Sequence, residues 1–175
     1  MLDALRSGVV AVIRPKAGAP ISEPRSGPAG PVVAARQRAL AELADIIFVG
    51  NEAPTAEPPD EPAAVAQRRA SERAARTRLY GLIGEGLDLQ ARGLADEAMA
   101  SYARALELGA DWPALRLNLG LLCLERQRNA SAVPHLEAAA GAPAYALGAQ
   151  FALGELFRLQ GQIPEALKRF IEVLR

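Results

Sequence analysis

One spacing constrains this chain more than any other feature: the same residue types recur every thirty-four positions through its C-terminal half. Gly86, Gly120 and Gly154 form one set. Leu119-Gly120 and Leu153-Gly154 repeat as pairs, whereas Glu85 precedes Gly86. Ala98, Ala132 and Ala166 form a second set, and Tyr102, Leu136 and Phe170 a third. The same step joins Ala105, Ala139 and Val173, and it places Gln127 midway between Gly93 and Gly161. A period of this length suits one supersecondary unit, and a unit that small buries its apolar face only by stacking on a neighbour. The small positions let helices approach closely. Leu89, Cys123 and Phe157, together with Tyr102, Leu136 and Phe170, are expected to fill the space between repeats.

Each repeat reads as two antiparallel helices, so the fold class is all-α. The expected helices are 79–92 and 94–108, then 113–126 and 131–140, then 147–159 and 163–174. Gly93 and Gly161 break the first and last pairs. Pro113, Pro134, Pro143 and Pro164 fall at or near helix boundaries, where a fixed φ and a missing N–H do least harm. A lead-in helix over 63–78 runs into the first repeat. The domain is therefore 63–175, with repeats 79–112, 113–146 and 147–175.

Residues 1–62 read as a Pro/Gly-rich arm that is largely disordered and holds one or two short helices. Leu2, Leu5, Val9 and Val12 or Ile13 have helical spacing. From 14 to 31, Pro15, Pro20, Pro24, Pro28 and Pro31 alternate with Gly18, Gly27 and Gly30, which predicts an unstructured linker. Pro31 suits a helix start, and an amphipathic helix is expected over about 32–49 with Val33, Leu40, Leu43 and Ile47 on its apolar face. Gly50 and Asn51 stop it. A second, acidic and proline-rich linker precedes Ala63.

Residues 79–175, a little over half the chain, resemble the tetratricopeptide repeat family. The resemblance rests on the thirty-four-residue step, the glycine and alanine positions, and the Ala-Leu-Glu-Leu segment at Ala105–Leu108. Two positions depart from the family pattern. Leu82, Arg116 and Gln150 replace the usual early aromatic, and Ala110 and Ala144 replace the usual terminal proline. The resemblance implies a right-handed helix-turn-helix solenoid whose concave groove is lined by the first helix of each pair. It also implies binding of a protein or peptide, and no catalysis.

Family geometry assigns to that groove Tyr80, Ile83, Gly84, Leu87 and Gln90, then Leu117, Asn118, Leu121 and Leu124, then Phe151, Ala152, Glu155 and Arg158. One subfamily grips a C-terminal carboxylate with lysine, asparagine and arginine. Here those positions read Ile83, Leu87, Asn118, Gly148 and Ala152, and only Asn118 fits, so no carboxylate clamp is expected. What remains is apolar, and each such side chain stabilises a bound partner by about 1.5–3 kcal/mol when buried. A contiguous apolar stripe marks a binding site or lies under a neighbouring helix. Leu43, Ile46, Ile47 and Phe48 form a tethered apolar segment that either docks on the repeats or is a handle for another protein. The resulting expectation is a non-enzymatic adaptor; the alternative is a dedicated chaperone that shields an apolar segment of a client.

His135 has no companion ligand, and Cys123 falls on a repeat-core position, so no metal, cofactor or catalytic residue is expected. Asp96 and Glu97 open a helix, where acids complement the dipole. Gly81, Gly84 and Gly86 lack the strand and the Gly-Lys-Ser/Thr of a phosphate loop. Arg68, Arg69, Arg73, Arg76 and Arg78 read as a solvated helix face opposite Glu57, Asp60 and Glu61; with zero net charge and no interleaved aromatics, nucleic acid is not an expected partner. No apolar run is long enough to span a bilayer. The start, with Asp3 and only a short apolar stretch at 9–13, is a poor secretion signal, and the single cysteine forms no internal disulfide, so a cytoplasmic location is expected. No polar capping helix follows the last repeat, which predicts either self-association through that end or a longer repeat array.

Overall fold

The computed structural model describes residues 30–50 and 62–174. The expected helix at 1–13, the linkers on either side of the 32–49 helix, and the acids Glu57, Asp60 and Glu61 lie outside the described residues. Seven α-helices and no strand make up what is described: α1 (Pro31–Gly50), α2 (Ala63–Ala91), α3 (Ala95–Glu107), α4 (Pro113–Glu125), α5 (Asn129–Ala140), α6 (Pro143–Leu159) and α7 (Ile163–Val173). None is long and apolar enough to cross a membrane, among the described residues. Helices α2 and α3, α4 and α5, and α6 and α7 pack as pairs.

The glycine step has a direct packing consequence. A Cβ on Gly86 would lie 2.3 Å from the Tyr102 ring, one on Gly120 2.8 Å from Leu136, and one on Gly154 2.5 Å from the Phe170 ring. The large side chain of each second helix thus sits on the bare backbone of the first. Tyr102, Leu136 and Phe170, expected to fill the space between repeats, pack within each pair, where a glycine leaves room, and Tyr102 also reaches the next pair at Asn118 through Gln90. Ala98, Ala132 and Ala166 are buried, as small residues at a close approach should be.

The turns inside the pairs share one backbone solution. Gly93, Gln127 and Gly161 all have positive φ, at 80°, 57° and 74°. The next residue in each case, Leu94, Arg128 and Gln162, donates its N–H back to Leu89, Cys123 and Phe157 respectively. This is the hydrogen-bond pattern of a helix ended by a left-handed residue, and it satisfies carbonyls the helix leaves free.

Helix α5 starts at Asn129, not at 131, and the boundaries at two prolines also differ from expectation. Helix α6 starts at Pro143, not at 147, because proline at the first helical position follows an extended Ala142 (φ −97°, ψ 124°). Pro134 lies inside α5 rather than at its edge. It is exposed, as is Ala130, whose carbonyl loses a helical donor, so the break falls on the solvent side of the helix. The lead-in 63–78 does run as helix into α2, and its side chains are exposed apart from a half-buried Arg73.

Candidate functional site

The first helices of the pairs, α2, α4 and α6, share a face, and α1 lies across all three. The tethered helix therefore docks on its own chain. Its buried side chains are Ala35, Ala39 and Leu43, at 6%, 0% and 0% exposure. Ile47 continues that step of four and reaches 3.9 Å from the Cβ position of Gly84. Of the segment expected to dock, Leu43 is fully buried and Ile47, half-buried, packs against the core; Ile46 is half-buried too, and Phe48 stays 68% exposed. Val33, expected on the apolar face, is 49% exposed. The face is rotated toward alanine because the first contact is backbone to backbone: a Cβ on Gly148 would lie 2.4 Å from Ala35 Cβ and 2.9 Å from the Pro31 carbonyl oxygen. Sequence reasoning missed Ala35 and Ala39, since alanine signals helix propensity before it signals contact. The usable sign was the step Ala35, Ala39, Leu43, Ile47.

Polar bonds fix the register of α1. Arg36 donates to Glu125 through both guanidinium nitrogens. Arg38 donates to the Ala144 carbonyl at 2.7 Å. The Tyr145 hydroxyl donates to Glu42. Ala144 and Tyr145 belong to the extra N-terminal turn of α6, so the early start at Pro143 supplies two of the anchors. Burial and the neighbouring Glu42 carboxylate push the Tyr145 phenol well above its ordinary pKa, which keeps it a donor.

The remaining expected groove residues divide into core and cleft. Ile83 and Leu117 are fully buried. Leu87 is half-buried against the core. Tyr80 packs on Trp112 with ring centroids 6.3 Å apart. Asn118, fully buried, exchanges two bonds with Gln90, donating at 2.8 Å and accepting at 3.2 Å, while the Tyr102 hydroxyl donates to Gln90 at 3.0 Å. Burial raises the Tyr102 phenol above its ordinary range. Asn118 thus joins two helix pairs through a satisfied buried network. Leu121, Leu124, Phe151 and Glu155 come together. With Val32, Leu156 and Leu159 they line a cleft of ≈ 240 Å³ beside the N-terminal turn of α1. Arg158, exposed, pairs with Glu155 at 2.7 Å on its rim.

The two side chains with the most reactive chemistry are engaged in packing. Cys123 is buried, its thiol turned to Met99 Sδ at 3.7 Å, and burial raises its pKa. His135 takes a guanidinium hydrogen bond from Arg116 at Nδ1, 3.3 Å away; burial, then the Arg116 charge, lower its pKa and keep it neutral. No group of three or more His, Cys, Asp or Glu stands close enough to hold a metal ion, among the described residues.

Together these features define an all-helical protein in which three helices present one apolar face and a fourth helix of the same chain lies on it. No protein-family model, curated protein or solved structure matches the chain.

Proposed function

We propose that the chain is a tetratricopeptide repeat protein, a right-handed solenoid of three thirty-four-residue repeats, and that it serves as a non-enzymatic adaptor for a protein or peptide. Support for the repeat comes from three recurring features at one step: a glycine under a large side chain, a left-handed turn residue, and buried alanines. Support for partner binding comes above all from the open apolar cleft between α4 and α6. Its ≈ 240 Å³, lined by Leu121, Leu124, Phe151 and Leu159, has room for one large apolar side chain, and its rim carries Glu155 and Asn129 to orient what enters.

The test uses the full chain as bait, with and without a charge in the cleft. Leu159 is 74% exposed, so Leu159→Asp leaves the fold intact while charging the cleft. Proteins retained by the unaltered chain and lost with Leu159→Asp and with Leu124→Glu, as quantified by mass spectrometry, are its partners. An identical retained set in all three baits would overturn the reading.

A further inference from the structure

Resting on that reading of the inner face as a partner site, we propose that α1 is a cis-bound stand-in for the partner: the groove receives an external helix of the same chemistry, and α1 leaves to admit it. The seated helix spells out that chemistry. Its contact stripe is Ala35, Ala39, Leu43 and Ile47, so the ligand carries small residues in its first two contact turns and branched ones after them. Gly148 favours the first, because even a Cβ at that position would lie 2.4 Å from Ala35 Cβ and 2.9 Å from the Pro31 carbonyl oxygen, which leaves little room for a side chain larger than alanine at 35. Glu125 and the Ala144 carbonyl call for basic residues one and three places after the first small residue, as Arg36 and Arg38 supply. The Tyr145 hydroxyl calls for an acceptor in the place of Glu42.

Two features make α1 replaceable. Two of its three buried side chains are alanines, and the Arg36–Glu125 pair remains open to solvent at 28% and 47% exposure, so the N-terminal half of α1 adds little apolar area and a screened ion pair, and Leu43, Ile47 and the Tyr145–Glu42 bond hold the rest. It also underfills the groove. Val32 borders the ≈ 240 Å³ cleft without occupying it. A competing helix with phenylalanine, methionine or leucine in the place of Val32 fills that space and binds more tightly than α1 itself.

The experiment uses the full chain and a fluorescent peptide with the sequence of residues 30–50. Ala39→Asp/Leu43→Asp places two carboxylates in buried seats and releases α1, which hydrogen exchange reads as lost protection over 31–50 with protection over 79–174 retained. The released chain then binds the peptide at least about tenfold more tightly than the unaltered chain, and a Val32→Phe peptide binds roughly tenfold more tightly again, the gain expected from burying a larger apolar side chain. Loss of protection across 79–174 on release would make α1 a permanent part of the core and overturn the proposal. So would protection of α1 that survives both carboxylates, or a released chain that ignores both peptides. A mass of two chains in light scattering, with α1 still protected, would assign the groove to exchange between copies and overturn it too. If capture of partners still depends on Leu159 but is unchanged by releasing α1, this proposal fails alone; if capture ignores Leu159 as well, the adaptor reading fails with it.

Discussion

Gln127 holds a backbone conformation that the equivalent positions leave to glycine. At φ 57° its Cβ crowds the following carbonyl, a strain of about 1–2 kcal/mol that Gly93 and Gly161 avoid. The side chain is exposed, so nothing at its tip repays that strain through burial. Gln127→Gly removes the strain and loses some of the gain to unfolded-state entropy. We expect a net stabilisation of about 0.5–1 kcal/mol, read as a melting temperature higher by roughly 2–5 °C. A lower melting temperature in calorimetry would contradict the strain argument. The thirty-four-residue step made the position visible in the sequence, since Gln127 interrupts a glycine pair. The sequence marks Asn118 as a groove residue and as the one match to a clamp position, whereas it is fully buried. Its bond to Gln90 depends on how neighbouring pairs are set against each other, which no local pattern records.

At the scale of elements, the boundaries of α1 were legible: Pro31 opens the helix, and the expected span of 32–49 became Pro31–Gly50. Its orientation was not legible. Periodicity weighs Val33 and Leu40 above alanine, yet the seat is shaped by Gly148, which admits only small side chains. Gly148→Ala separates local from tertiary preference. Within an isolated helix, alanine is better than glycine by about 1 kcal/mol. Here its Cβ would lie 2.4 Å from Ala35 Cβ and 2.9 Å from a backbone oxygen, so one helix must shift. We expect a net loss of about 1–3 kcal/mol in urea denaturation, partly restored when Ala35→Gly is added. A gain in stability from Gly148→Ala alone would mean that α1 spends little time on its seat.

At the scale of the whole molecule, α7 presents an exposed apolar edge. Ile163, Leu167 and Ile171 on α7, and Leu174 at its C-terminal cap, are 50–85% exposed. The equivalents of Leu167 one and two steps back, Val133 and Met99, pack against the core, where the following pair covers them. A row of four large apolar side chains at helical spacing drives association in water. Leu167→Glu with Ile171→Lys should change stability by no more than about 1 kcal/mol, because both sites are already half open. The same pair should abolish concentration-dependent growth of the mass measured by light scattering. Equal mass for both chains at every concentration would remove the edge as a contact.

Helical identity, the turns at Gly93 and Gly161, and the thirty-four-residue step were decided by the sequence alone, because each depends on local residue types or a fixed interval: a proline at a helix start, a glycine in a left-handed turn, a small residue at each step. The seat of α1 was decided only by tertiary structure. Arg38 and the Ala144 carbonyl stand 106 positions apart, and their meeting depends on a groove that exists only after three helix pairs have packed. Backbone proximity at Gly148, not hydrophobic periodicity, selects the face that enters it. A one-dimensional pattern can show that a helix has an oily side, but the shape of the receiving surface determines which of its small residues lie closest.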